Sequence, residues 1–371
     1  MRTIIIRGLL LASLCLGAQA QASNLLFAGS DGFVDFVPIG TCCGESNNGF
    51  IGGPGRATAG LCVGNSTSTA DPPASRAQMN TFTSVGALWF HANVKASSGA
   101  TNNQQVLLIR SPDGVARILL RQTATFGTFK LSTRDSAGSI TDVATATGAL
   151  PAGTPTAVDL HVDYAGGAAQ LYIGAATEVI NFTGTLETDA ATTLNQIELM
   201  SATDGNPVTG VDLDCSTPNY TIWSEVIVTD TQDTRDMILM PVNPAANGTT
   251  QNCSGGTAAD LIDDMDATVV SSAANNQVCG FTTGLTFPSG TFNILGITQN
   301  ARANTSPVGP QHLDFYMRVN ATDNLAGLSL APSLTINAGF SQLWSVNPHT
   351  SGPFAISDIA AGFNLGFKSL P

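Results

Sequence analysis

Beyond its first two dozen residues this chain has no apolar run long enough to cross a bilayer as a helix. It is also poor in positive charge. There are 14 Lys and Arg against 27 Asp and Glu, and nowhere do the basic residues form a stripe, which excludes nucleic-acid phosphates and anionic lipid as partners. Charged residues of all kinds make up 11% and aromatics 6%. No Gly-x-Ser-x-Gly elbow, His-Glu-x-x-His pair or phosphate loop occurs, so those hydrolase, zinc-protease and nucleotide chemistries have no foothold. Cys-x-x-Cys knuckles are missing as well, and with them a zinc ribbon. Up to Asp230 no segment sustains a 3.6-residue apolar period, which argues against helical layers.

What is present fits an all-β protein outside the cytoplasm: 43% hydrophobic residues, 38 Gly, 18 Pro and recurrent Ser/Thr/Asn/Asp clusters. Arg2 and Arg7 precede or flank the apolar "GLLLASLCLG", and Ala18, Ala20 and Ala22 follow it. That is the pattern of an export signal cleaved after Ala20 or Ala22, and Leu14 before Cys15 speaks against lipidation. Cleavage leaves 12 basic against 27 acidic groups. The expected location is exported: extracellular, cell-surface or virion. Six cysteines then remain, an even number that reads as disulfides in an exported chain. Adjacent Cys42 and Cys43 would be strained as a pair, so each is expected to reach elsewhere, to Cys62 and Cys215, leaving Cys253 with Cys279.

Strand signals recur at short spacing. In "ALWFHANVK", Leu88, Phe90, Ala92 and Val94 alternate with Trp89, His91, Asn93 and Lys95. In "AVDLHVDY", Val158, Leu160, Val162 and Tyr164 alternate with Asp159, His161 and Asp163. Ser111-Pro112-Asp113-Gly114 and Gly166-Gly167 are hairpin turns. Such antiparallel repetition predicts a two-sheet sandwich. The rhythm breaks at "TDTQDTRD", which sets a signal peptide over 1–22, a first domain over 23–231 and a second, smaller β domain over 232–371. The junction over residues 228–236 is expected to be hinge-like.

Candidate sites are sparse. His91, His161, His312 and His349 lie far apart with no partner at metal-ligand spacing, and His161 reads as solvated. Glu45, Glu178, Glu187, Glu198 and Glu225 are isolated, so no carboxylate pair and no catalytic residue is assigned. Asp31 with Asp35, Asp212 with Asp214, the Asp230–236 stretch, and Asp263, Asp264 and Asp266 raise calcium, but none follows a defined ligand order. No cofactor is therefore assigned. Trp89, Trp223 and Trp344 could stack sugars, yet each sits in a strand-like run where tryptophan is usually core. Trp223 is out of phase with Val226 and Val228, which leaves its face open.

The order of segments resembles structural proteins of tailed bacteriophages built on a concanavalin A-like (laminin-G-like) jelly roll followed by a small β domain. "NLLFAGSDGF" is similar to their opening motif through Leu25, Leu26, Phe27, Asp31, Gly32 and Phe33. Leu171 to Gly174 looks like their Leu-Tyr-Val-x-Gly hairpin, "YTIWSEVIVTD" like their closing strand, and "DLIDDMDATVVSS" like an acidic segment of the second domain. The terminal "LWSVNPHTSGPFAISDIAAGFNLGFK" matches the family ending at Asn347, Pro348, Thr350, Gly352, Phe354, Asp358 and Ile359. In that comparison it is a closing clasp, with Phe354 plugged into the core and a helical turn at 357–361. Ser224-Glu225 replaces the family's paired aspartates, Ala355 replaces a capping threonine, and the signal and cysteines are foreign to virion proteins. The resemblance implies a jelly-roll sandwich that binds or assembles without catalysis: a structural or adhesive component of a virion or surface assembly. Its partners would be further copies of itself, other structural subunits, or neutral glycans. The alternatives are a subunit of an extracellular filament or appendage, and a secreted carbohydrate-active enzyme.

Overall fold

The computed structural model describes residues 11–15, 25–29, 35–39, 43–46, 60–63, 76–99, 102–174, 176–201, 220–258, 269–284, 287, 292–334, 338–360 and 362–371. The chain divides into two compact units, one comprising Leu26–Gly53 and Ala57–Asp236, the other chiefly Met237–Pro371 with the N-terminal stretch Met1–Leu25. In chain order the strands begin with β1 (Leu11–Cys15), β2 (Leu25–Gly29), β3 (Phe36–Ile39), β4 (Cys43–Ser46), β5 (Gly60–Val63) and β6 (Arg76–Met79). There follow β7 (Ala87–Ala96), β8 (Gln105–Arg110), β9 (Ala116–Gln122), β10 (Phe129–Arg134) and β11 (Ile140–Thr145). The larger unit ends with β12 (Thr156–Asp163), β13 (Ala168–Ile173), β14 (Thr177–Thr183), β15 (Gln196–Leu199) and β16 (Thr221–Thr229).

These strands form a jelly-roll sandwich. A seven-stranded sheet has the order β11-β10-β9-β8-β15-β6-β3, and an eight-stranded sheet has the order β14-β13-β12-β7-β16-β5-β4 with β2 on β16. The alternating positions of β7 and β12 face inward and pack with Leu107, Ile109, Ile118 and Leu120 from the opposite sheet in one core. Gly114 takes φ +82° in the turn between β8 and β9, which a side chain would resist. Between β12 and β13 Gly167 takes φ +74°, and a Cβ there would lie 2.2 Å from the Gly184 carbonyl oxygen. The phase problem at Trp223 has a backbone answer. Glu225 adopts φ +51°, and the register with β7 jumps between Ser224 and Ile227. This β-bulge puts Trp223, Val226 and Val228 in the same core, where Trp223 packs edge-on against Phe90 and donates to the Met200 carbonyl at 3.0 Å.

The smaller unit is a second β-sandwich. Its strands are β17 (Pro244–Gln251), β18 (Val278–Thr283), β19 (Gly296–Ala303), β20 (His312–Val319), β21 (Thr322–Leu325), β22 (Ala338–Trp344) and β23 (Asn364–Leu370). They form a sheet β19-β22, extended at the β19 edge by β1, which lies within the leader expected to be cleaved, and a sheet β17-β18-β23-β20-β21, around Ile297, Phe315, Met317, Trp344 and Leu365. Gln299, fully buried, links the two sheets. It accepts from Trp344 Nε1 at 3.2 Å and donates to the carbonyls of Gly366 at 2.5 Å and Tyr316 at 3.4 Å. β17 was not foreseen, because "PAANGTTQ" carries no strand pattern. It pairs with β18 through two register shifts, and Thr249 N–H bonds Asn364 Oδ1 at 3.0 Å.

The terminal clasp closes through Asp358 rather than through the missing threonine cap. Its Oδ2 accepts from Ala355 N at 2.8 Å and Asn347 Nδ2 at 2.9 Å, and its Oδ1 from Asn320 Nδ2 at 3.0 Å. The carboxylate thus reaches back to the start of the short helix α1 (Ile356–Ala360), and Phe354 is buried in the core beside it. Cys253 and Cys279 form a disulfide with Cα atoms 5.3 Å apart. Cys62 is also disulfide-bonded; Cys42 and Cys215 lie outside the described residues, as does the side chain of Cys43. The Cys253–Cys279 loop spans 26 residues, which the chain-entropy relation converts to about 3.5 kcal/mol. Replacing both by alanine should lower the unfolding free energy of the smaller unit by about that amount in urea titrations; an unchanged midpoint would show the staple to be idle.

Candidate functional site

The outer face of the eight-stranded sheet carries two transverse rows of polar and aromatic side chains. The ladder register aligns Ile227, His91, Asp159, Tyr172 and Glu178 in one row. It aligns Thr229, Trp89, His161, Gln170 and Asn181 in the next. These are the positions that alternate with the core, so the polar half of each strand converges on one surface.

His91 Nδ1 lies 2.7 Å from Asp159 Oδ1, and Thr234 Oγ1 donates to the same oxygen at 2.9 Å. All three residues are buried. His91 Nε2 and Asp159 Oδ2 have no hydrogen-bond partner. With Nδ1 donating to the carboxylate, Nε2 accepts in the neutral ring and donates in the protonated one, and in either form it and Asp159 Oδ2 are buried without a partner. Alongside, Trp89 stacks on His161 with centroids 4.5 Å apart and on Tyr172 at 6.2 Å, with interplanar angles of 19° and 21°. The Arg235 guanidinium lies 4.4 Å from the Tyr172 ring centre and 5.6 Å from that of Trp89. Asp233 accepts from Arg235 Nε with both oxygens, at 2.9 and 3.0 Å. Burial pushes the Asp233 carboxyl up, but its bonds to Arg235 outweigh that and hold it below the usual range. Arg235 is raised, chiefly by its hydrogen bond to Asp233. Burial and the bond to Glu178, 2.9 Å away, raise the Tyr172 phenol, so it stays protonated. Burial fades toward β14: His161 and Gln170 are half-buried, and Glu178 and Asn181 exposed.

Trp89, Trp223 and Trp344 are 8%, 1% and 6% exposed, so none is a free stacking surface at rest. His161 is not the solvated histidine expected, because Trp89 covers its ring and Gln170 lies 3.1 Å from its Nδ1. Nor are the carboxylates all isolated, since Asp159 and Glu178 share a row. His312 and His349 belong to the smaller unit. Among the described residues no three His, Cys, Asp or Glu side chains gather to hold a metal ion. Asp31, Asp212, Asp214, Asp263, Asp264 and Asp266 lie outside them.

The opposite sheet gathers charge that no linear run betrays. Arg76, Arg110, Arg117, Arg121, Lys130 and Arg134, six of the chain's 14 basic residues, alternate with its core positions. Buried Glu198 takes Arg76 at 2.8 Å and Arg110 at 2.7 Å. Arg117 reaches Asp113 and Asp189, each at 2.6 Å. Asp142 takes Arg121, Lys130 at 2.8 Å and Ser132 at 2.6 Å. The charges largely cancel within the face and tie neighbouring strands together.

No known family profile and no curated protein matches this chain. Among solved structures, a carbohydrate-binding module from Bacillus subtilis is similar at 8% identity, over 54% of this chain and 98% of that one, with a TM-score of 0.33. An endo-β-1,4-glucuronan lyase from the fungus Trichoderma reesei is similar at 12% identity, over 55% and 95%, with a TM-score of 0.41. A sialidase is similar at 13% identity over 47% of this chain and 16% of that one, with a TM-score of 0.30.

Asp142 gives this surface a measurable acid limit. Burial alone would raise its pKa, but Lys130, Ser132 and Arg121 hold it down to about 2 against 3.8 unperturbed. A depressed folded value means that its contribution is complete above about pH 4 and is lost as pH falls toward 2. With the side chain 44% exposed, solvent screening limits the effect to under about 1 kcal/mol. Asp142→Asn should flatten the stability–pH curve between pH 4 and 2, and an unaltered slope would remove this carboxylate from the network.

Proposed function

We propose that the jelly-roll unit is a binding module for neutral glycans, and that the chain works outside the cell as an adhesive or structural component without turnover. The observation that carries this reading is the pair of buried polar atoms without partners, His91 Nε2 and Asp159 Oδ2, on the same sheet face as the rings of Trp89, His161 and Tyr172. A pyranose supplies what they lack, rim hydroxyls that both donate and accept, and an apolar C–H face for a ring. The formal charge of −13 disfavours sulfated or phosphorylated polymers. Further copies of the chain or other structural subunits are the protein partners, in a virion or surface assembly or in an extracellular filament. Export rests on the leader pattern, and the secreted protein should begin at Gln21 or Ser23 on N-terminal sequencing.

Catalysis is the second reading, favoured by Asp159 and Glu178 sharing a row. They stand two strands apart, roughly 10 Å between backbones, too wide for the ~5 Å of retaining glycosidases and at the upper edge of the ~6.5–9.5 Å of inverting ones. Both carboxylates are also engaged, Asp159 by His91 and Thr234, Glu178 by Tyr172 and Asn181. A glycan array and a polysaccharide depolymerisation assay separate the readings. Binding to neutral glycans without new reducing ends or unsaturated sugars is expected, with Trp89→Ala weakening it about tenfold. Turnover at enzymatic rates would replace the binding reading with the enzyme.

A further inference from the structure

Residues 230–236 follow β16 and finish the larger unit, yet they do not leave the sheet. Thr229 Oγ1 bonds Gln232 O at 2.5 Å, Thr234 bonds Asp159 on β12, and Arg235 lies over Tyr172 on β13 and Trp89 on β7. We infer that this segment is a displaceable latch, in which Arg235 holds the place that a pyranose ring takes on binding. The inference rests on the glycan-binding reading above.

The way the segment is attached supports a latch over a permanent strap. Arg235 pairs with Asp233, two residues away in the same segment, so the ion pair travels with it when it lifts. A fixed anchor would pair the guanidinium with a carboxylate of the sheet. Glu178 is beside Tyr172, but it receives the Tyr172 hydroxyl and Asn181 Nδ2. The side chain of Arg235 is 34% exposed and lies at the side of the surface where burial fades. Thr234 gives Asp159 a single hydroxyl hydrogen bond, which a sugar hydroxyl can replace donor for donor. Lifting the segment also frees Asp159 Oδ1, on the carboxylate whose Oδ2, like His91 Nε2, has no partner in the closed state. Ligand and latch therefore compete for the same rings and the same carboxylate.

The test is calorimetric titration of wild type, Arg235→Ala, Thr234→Val and Trp89→Ala with malto-, cello-, xylo- and mannohexaose. Hydrogen exchange of β7, β12 and β13 verifies that each sheet is intact. Arg235→Ala and Thr234→Val should bind the best of these sugars about tenfold more tightly than wild type, the gain expected from removing one cation–π or hydrogen-bond competitor. Residues 230–236 should exchange faster in both. Equal or weaker binding by Arg235→Ala, with Trp89→Ala still impaired, overturns the latch and leaves the glycan site standing. Failure of all four proteins to bind, or unchanged binding by Trp89→Ala, overturns the site and the latch together.

Discussion

One extra residue in β16 decides which way the end of the larger unit runs. Strict alternation from Trp223 would turn Thr229 into the core and Val226 and Val228 out to solvent. The left-handed backbone at Glu225 inserts the residue that reverses the phase, so that Trp223, Val226 and Val228 all pack inward and Thr229 joins the outer row beside Trp89. From there the chain passes across the outer face, where Thr234 meets Asp159 and Arg235 meets the rings. A core requirement for tryptophan and a surface requirement for the following segment are thus met by one backbone irregularity.

The two outer faces of the sandwich use polar residues differently. On the seven-stranded sheet every carboxylate in the network receives more than one donor, so the face works as cross-bracing between strands. On the eight-stranded sheet the row of His91, Asp159, Tyr172 and Glu178 is incompletely satisfied, and buried polar atoms without partners are costly.

Much of the architecture was legible because it is local. Alternation in "ALWFHANVK" and "AVDLHVDY", with the turns at Asp113-Gly114 and Gly166-Gly167, gives the hairpins and the inward faces directly. The candidate surface was not legible, because it depends on register between distant strands. His91 and Asp159 are 68 residues apart, and nothing in either segment says that β7 and β12 are neighbours, or in which alignment. The available signal was the recurrence of Trp, His and Asp at the polar positions of two strongly apolar strands, where Ser, Thr or Lys would serve solvent as well. The arginine network was hidden in the same way: its six members spread from Arg76 to Arg134 and meet only through sheet pairing. β17 lacked a pattern altogether, since its pairing is imposed by β18 and by Asn364.

The position of β23 in its sheet has a consequence for how the smaller unit comes into being. It lies between β18 and β20, in the middle of five strands, yet it is the last strand in chain order. Neither β18 nor β20 has its permanent neighbour on that side until Leu370 has been synthesised. Gln299 likewise lacks the Gly366 carbonyl to which it donates. The sheet therefore cannot close until β23 has been made, so β18 and β20 wait unpaired on that side while the chain between them and Leu370 is added. Cys279 lies on β18 opposite Phe367 of β23, so the Cys253–Cys279 bond can form before the strand that covers that edge has paired.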